Sequence, residues 1–386
     1  MPLTRSQAAR RTCAPLAGGG QETLLSEVGS QYLLPLFTTA EACALRLVCG
    51  EFQAAVSEQP WEDRETVIQG SIAAWRACFP RALCANVAEY ACEDEDTGLL
   101  VSEERGTLVE DADFVHFRGL RVLNMSGCLN VTDAAFAHLR GIHTLIMSEC
   151  SQAGITDAAF AHLRGVHTLH MSGCSQENIT DAAFAHLRGI HTLDMSQCDQ
   201  EGITDAAFAH LRGVHLNMHW CCQAGVTDAA FAHLRGIHTL DMSLCDQEGI
   251  TDAAFAHLRG IHTLSMSGCS QQNITDAAFA HLRGIHSLSM RSCRQEGITD
   301  AAFAHLRGIH TLDLSWCTQD SITDAAFAHL RGIRTLRMSG CSQAGITDAA
   351  FAHLCGAQQL SMEYCRPDCI NAAHALGLLT RRRNSS

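Results

Sequence analysis

Lysine is absent from the 386 residues, so all 27 basic side chains are arginine. Proline is scarce as well: the six prolines all lie outside residues 81–366, and within that stretch no ring interrupts a helix or a hydrogen-bonded ladder. Aromatic residues make up only 6% of a chain that is 47% hydrophobic, which suits many small, similar packing layers better than one globular centre. No run of 18 apolar residues offers a membrane span. The first 21 residues hold Arg5, Arg10 and Arg11 without the apolar run of a secretory signal. The expectation is a soluble chain of the cytoplasm or nucleus, with a mitochondrial presequence as the alternative reading of that tail. A net charge of −14 argues against nucleic acid as a partner. Gly-rich phosphate loops, GxSxG and HExxH are missing, so no catalytic residue and no cofactor is assigned.

Repetition fills most of what is present. The unit ITDAAFAHLRGIHTLDMSQCDQEG recurs with small changes, and its Asp stands at 133, 157, 181, 205, 228, 252, 276, 300, 324 and 348. A degenerate earlier copy runs from Glu110 to Cys128. Eleven of the 20 cysteines form a ladder from Cys128 to Cys365, stepping by 24 residues almost throughout. One cysteine at the same place in every unit reads as a buried, reduced, small apolar side chain rather than as part of a disulfide framework. The one 23-residue step, near Val214, falls where the chain approaches a strand and predicts a local kink.

Two periodicities share each unit. Ile190, Leu193, Met195 and Cys198 follow LxxLxLxxC, with Leu193 and Met195 alternating as a short strand does. In the other half Thr204 or Asp205 can cap a helix, Phe208 and Leu211 share one face, and Gly213 is placed to end it. Such a unit must stack on its neighbours to bury its apolar face, giving parallel strands about 4.8 Å apart. The pattern over roughly residues 110–366 resembles the cysteine-containing leucine-rich repeats, with departures in repeat length, in Met at the second strand position and in Phe at the first helix position. The resemblance implies an α/β solenoid: a leucine-rich-repeat horseshoe of about 11 strand–helix units with parallel inner strands.

Ahead of the array, LLSEVGSQYLLPLFTTAEACALRLVCGEFQAAVSEQPW at 24–61 resembles an F-box. The likeness rests on Leu25, Val28, Leu33, Leu34, ALRLVCGEF and the closing Trp61, although the usual Leu-Pro opening is replaced by Leu24-Leu25-Ser26. An F-box docks on a Skp-type adaptor that connects through a cullin complex to ubiquitin transfer. The resemblance therefore implies the substrate-recognition subunit of a ubiquitin ligase, an adaptor contact through Leu33, Leu34, Leu45, Val48 and Phe52, and a monomer outside the complex. The alternative is a helical cap shielding the first repeat of a free-standing scaffold. A GC-rich genome favouring Arg and Ala codons is the preferred account of the missing lysines; for a ligase subunit their absence would still remove side-chain sites of self-modification. The expected organisation is a tail at 1–21, the F-box-like segment at 22–62, a transition and cap at 63–109 with a degenerate first strand near Leu83 to Val87, repeats at 110–366, and a cap with a basic tail at 367–386.

Comparing copies separates scaffold from surface. The helical half hardly changes, whereas the position after the strand Leu and the position before the Cys vary. Both columns are expected on the concave face as the site for a protein substrate: Asp194, Gln197, Asn217, Trp220, Asp241, Leu244, Arg291, Asp313, Trp316, Arg337 and Tyr364. Exposed aromatics there would act as anchors; drift at solvent positions is the alternative. Two histidine ladders, His138 onward after the helices and His143 onward before the strands, supply rows rather than a tetrahedron of ligands, so no metal is expected.

Overall fold

The computed structural model describes residues 33–48, 50–88, 92–93, 100–101 and 109–378. Its chain divides into two units, 1–146 and 147–386. Leu25, Val28, Cys49, the amino-terminal tail and the basic tail beyond 378 lie outside the described residues.

In the first unit, Thr38 caps helix α1 (Thr39–Leu45) in a reciprocal box with Glu41. The Asp63 carboxylate pins the same helix start, accepting from the Thr39 N–H at 2.6 Å and its hydroxyl at 2.9 Å. Helix α2 (Gly50–Glu58) is joined to helix α3 (Ile72–Cys78) through Trp61. That ring is buried, its Nε1 donates to the Val56 carbonyl at 2.8 Å, and it meets Phe79 edge-on at 5.6 Å. A buried indole thus keeps its polar atom paired. Strand β1 (Cys84–Asn86) falls within the degenerate strand expected there; β2 (Cys92–Glu93) and β3 (Leu100–Val101) form an antiparallel pair. β1 runs parallel to β4 (Val122–Asn124), which pairs with β5 (Thr144–Ile146).

The second unit is a run of nine parallel strands in sequence order: β6 (Thr168–His170), β7 (Thr192–Asp194), β8 (His215–Asn217), β9 (Thr239–Asp241), β10 (Thr263–Ser265), β11 (Ser287–Ser289), β12 (Thr311–Asp313), β13 (Thr335–Arg337) and β14 (Gln359–Ser361). Register is strict, Leu193 facing Leu169 on one side and Leu216 on the other. Each layer buries the same set, in one repeat Ile203, Ala207, Phe208, Leu211, Val214, Leu216, Met218 and Cys221. Burying each large apolar side chain stabilises by roughly 1.5–3 kcal/mol, and the layers lie directly on one another.

The helical half is a single turn. Asp205–Phe208 is capped by the Thr204 side chain, and the next amides, on His210 and Leu211, reach back three residues before Gly213, at φ +74°, turns the chain toward the strand. Of the two capping candidates, Thr serves its own helix and Asp serves the next repeat. Asp205 accepts from the Thr227 N–H at 2.7 Å, the Thr227 hydroxyl at 2.8 Å and the Ala230 N–H at 3.0 Å. The same Asp-to-Thr link recurs from Asp157 to Asp324.

Pairing at the short repeat departs from the expected kink. His215 stands where other strands begin with Thr, and β8 remains in register with both neighbours. Elsewhere both a His and a Thr amide donate to one carbonyl, as His191 and Thr192 do to His167; here His215 alone makes that bond, to His191 at 2.7 Å. The deletion is absorbed in the connecting turn and shows in that single backbone bond and in a tilt of the His215 ring.

Candidate partner-binding surface

Variation between repeats is concentrated at two positions, and the structure separates them. The position after the strand Leu lies on the sheet face. Asp194, Asn217, Asp241 and Asp313 each accept a backbone N–H two residues on, at 2.9–3.1 Å, so these side chains shape the turn that follows the strand. Asp194 also lies 3.5 Å from His170. Burial alone would raise its carboxyl, but hydrogen bonds from His170 and Ser196 hold it below the usual carboxylate range. Arg337 is exposed on β13. Arg291, exposed as well, sits in the turn where most repeats carry Ser.

Residues before the Cys are not strand residues, a correction to the expectation that both columns share the concave strand face. Gln197, Trp220, Leu244, Trp316 and Tyr364 lie in the turn after the strand, in left-handed backbone with φ between +54° and +62°. Glycine occupies the same place in Gly127, Gly173, Gly268 and Gly340. The left-handed region costs a non-glycine residue roughly 1–2 kcal/mol, so the conformation must be imposed by the surroundings. The imposing contact is one hydrogen bond to the next repeat: Trp220 N–H to the Ser243 carbonyl at 2.8 Å, Leu244 to Ser267 and Trp316 to Ser339 at 2.7 Å. A Gly-or-large alternation in one column was the sequence signal for this turn.

Four of these side chains are large, apolar and open to solvent: Trp220 (56% exposed), Leu244 (44%), Trp316 (42%) and Tyr364 (77%). Leu244 leans over Gly268, and Trp316 over Gly340 toward Tyr364, with ring centroids 5.9 Å apart. They form two apolar platforms on the turn edge, Trp220 with Leu244 and Trp316 with Tyr364, separated by Gly268 and Ser292.

The cysteine ladder is interior. From Cys174 to Cys365 each ladder thiol donates to the Met or Leu carbonyl of the preceding repeat, Cys198 to Met171 at 3.1 Å and Cys221 to Met195 at 3.0 Å. Burial pushes the Cys221 and Cys341 thiols up to about 12. A second ladder, not anticipated, is made by the Gln two residues after the Cys: Gln200 donates to the Cys174 carbonyl at 2.7 Å and Gln223 to Cys198 at 2.6 Å, both buried. Among the described residues no three His, Cys, Asp or Glu side chains converge as metal ligands, and no helix is long and apolar enough to cross a membrane.

Of the adaptor-contact residues implied by the F-box resemblance, Leu34 is buried within its own unit, Leu45 and Phe52 are half-buried, and Leu33 (42%) and Val48 (67%) are exposed. Neighbouring Leu47 is 89% exposed.

No protein-family model matches the chain, and no curated protein matches it. Solved structures do. A chain of the glycosylated Toll–Spatzle complex of Drosophila superposes with a TM-score of 0.54 at 16% identity, over 68% of this chain and 39% of that one. Another structure of that complex gives 0.52 at 14%, over 70% and 40%. An internalin of Listeria monocytogenes gives 0.48 at 17%, over 69% and 81%. The chain thus spans about two-fifths of the length of the Toll-complex chains it matches. Together with the one-strand, one-turn unit, the two Toll-complex matches define the fold as an α/β leucine-rich-repeat solenoid.

Proposed function

We propose that the protein is a protein-binding scaffold that holds its partner along the turn row from Gln197 to Tyr364. The observation that carries this is the left-handed backbone under Trp220, Leu244, Trp316 and Tyr364. Glycine fills the same place in four repeats without the steric cost, so large exposed apolar groups at strained positions point to a use that glycine cannot serve. Tryptophan and tyrosine are the side chains that most often anchor a protein interface. Asp241, Asp313 and Arg337 on the adjoining sheet face add charge of both signs, which favours a folded protein of matching polarity.

The amino-terminal segment extends this reading to the substrate-recognition subunit of a Skp-cullin-F-box ubiquitin ligase. Exposed Leu47 and Val48, in the turn between α1 and α2, and exposed Leu33, ahead of α1, support it, since they leave apolar side chains uncovered on this segment. So does the absence of lysine, which leaves the chain without side-chain acceptors for ubiquitin. Capture of a purified Skp-type adaptor by the full chain is the test. Val48→Asp, at an exposed position, should abolish capture without altering thermal unfolding. A parent chain that captures no adaptor leaves the free-standing scaffold as the function.

A further inference from the structure

The net charge of −14 conceals a segregation of charge along the second unit. Eight repeats there turn from helical half into strand through one segment, AHLRGIHTL at 185–193 and its counterparts from 161 to 336, and none of these segments contains an acid; the last repeat, with Cys355, departs from it. Each does contain an exposed arginine at its fourth position, eight in register from Arg164 to Arg331, and the last segment adds Arg334, which takes the place of the histidine. The acids stand on either side of these segments: the repeat Asp, as Asp181 and Asp205, at the helix start, where it is held by the Thr of the next repeat, and Asp199, Glu201, Asp246 and Glu248 after the cysteine, beyond the far end of the strand.

The arginines stand in register. Those at 164, 235, 259, 283 and 307 donate to Nδ1 of the helix-end histidine one repeat on, at 3.3–3.4 Å, as Arg259 does to His281. Among the described residues none of the eight forms an ion pair with a carboxylate. Beside them, three residues along the chain, the histidines from His167 to His310 make a column of seven rings with centroids 4.2–5.6 Å apart. Guanidiniums repeated once per strand, with no carboxylate paired to them among the described residues, form a line of positive potential about 34 Å long.

We propose that this helix-to-strand edge binds a linear polyanion, namely inorganic polyphosphate. The edge presents Arg, Gly and His and no Phe, Tyr or Trp, and most of its imidazoles lie face to face with one another at 4.2–4.6 Å, so their faces are already taken up and not open to stack the bases of a single-stranded nucleic acid. A polyphosphate chain carries a charge on every phosphate and needs no register, so each guanidinium finds an oxygen whatever the local repeat spacing. A sulfated glycan turns part of its charges away from a straight row. Guanidinium groups pair with phosphate oxygens in bidentate fashion, which suits an all-arginine row. The site is independent of the turn row proposed for protein binding, which lies at the other end of the strands.

Binding of long-chain inorganic polyphosphate to the full chain, measured by fluorescence anisotropy against salt, tests this. With eight guanidiniums engaged, log K should fall with log salt at a slope of about −5, a loss of about a thousandfold between 50 and 200 mM salt. The combined variant R188Q/R212Q/R235Q/R259Q should roughly halve that slope, and Arg→Lys at the same four positions should restore it, which separates charge from folding. R291Q/R337Q, at the sheet and the turn after it, should leave the slope unchanged. No binding at low salt, a slope near −1, or a loss caused by R291Q/R337Q rather than by the edge variant would overturn the assignment. So would tighter binding of heparin or single-stranded DNA than of polyphosphate.

Discussion

The Trp316 ring lies across Gly340, where an added Cβ would fall 2.5 Å from the ring atoms Cδ2 and Cε3. The missing side chain of one repeat is therefore the space filled by its neighbour's indole, and the pair brings Trp316 to Tyr364. Gly340→Ala should move the indole off this seat. Backbone strain at φ +73° adds roughly 1–2 kcal/mol, comparable to what the turn already tolerates at Trp220. The expected result is a shift in Trp316 fluorescence, read in a background lacking the other tryptophans, with a modest fall in thermal midpoint. An unchanged emission spectrum would show the ring to be mobile and the platform not preformed.

Replacing Trp220 or Trp316 with glycine should separate stability from recognition. Both sit in left-handed backbone, where glycine is relieved of about 1 kcal/mol or more of steric cost but loses more chain entropy on folding. Urea midpoints should accordingly stay level or rise. Partner capture from cells should drop sharply, since a central aromatic anchor contributes about 2 kcal/mol or more to an interface. The two lie four repeats apart, about 19 Å along the sheet, a span one folded protein covers. Retained capture by both variants would move the binding surface elsewhere.

Asp205 accepts three hydrogen bonds from the following repeat, so Asp205→Ala leaves the amides of Thr227 and Ala230 without their acceptor at a part-buried contact. The cost should be about 3 kcal/mol, and about 1 kcal/mol for Asp205→Asn, which keeps one carbonyl oxygen. Stability in a solenoid is a sum of repeats and their interfaces, so weakening one central interface should also split a single chemical unfolding transition into two. Equal effects of Ala and Asn would argue that the charge, rather than the acceptor, holds the interface.

Repetition made the architecture legible. With Leu193, Met195, Cys198 and Phe208 recurring at fixed offsets, strand, turn and core could be placed before any coordinates. The turn row was legible as variation but not as conformation. Trp220 and Trp316 read as outward strand positions because the strand was extended three residues past Asn217 and Asp313, where the chain has already turned. The glycines sharing their column held the correction. Gln200 and its counterparts escaped because a glutamine in a polar turn looks solvent-facing; burial arises only when the next repeat stacks on it and offers a carbonyl. The cationic edge was hidden by summation, since net charge discards position.

Histidine sets the response to acid. Burial, followed by repulsion from His191 and His238, lowers the pKa of His215; burial, followed by repulsion from His286 and His238, does the same for His262. For the two lowered groups the unfolded chain binds protons more readily than the folded one below the ordinary imidazole value of about 6.5. Their contribution is therefore complete above that value and declines as pH falls from it toward the depressed folded pKa. The half-buried Asp194 carboxylate acts in a separate, lower window, lost only as pH falls below about 4. Urea midpoints should hold level from pH 8 to 7, decline through pH 6, and fall again below pH 4. His262→Gln, which keeps a polar group in the column without a titrating charge, should flatten part of the first decline. A midpoint that rises between pH 7 and 5.5 would show the stacked rings to be stabilised by protonation, the opposite sign.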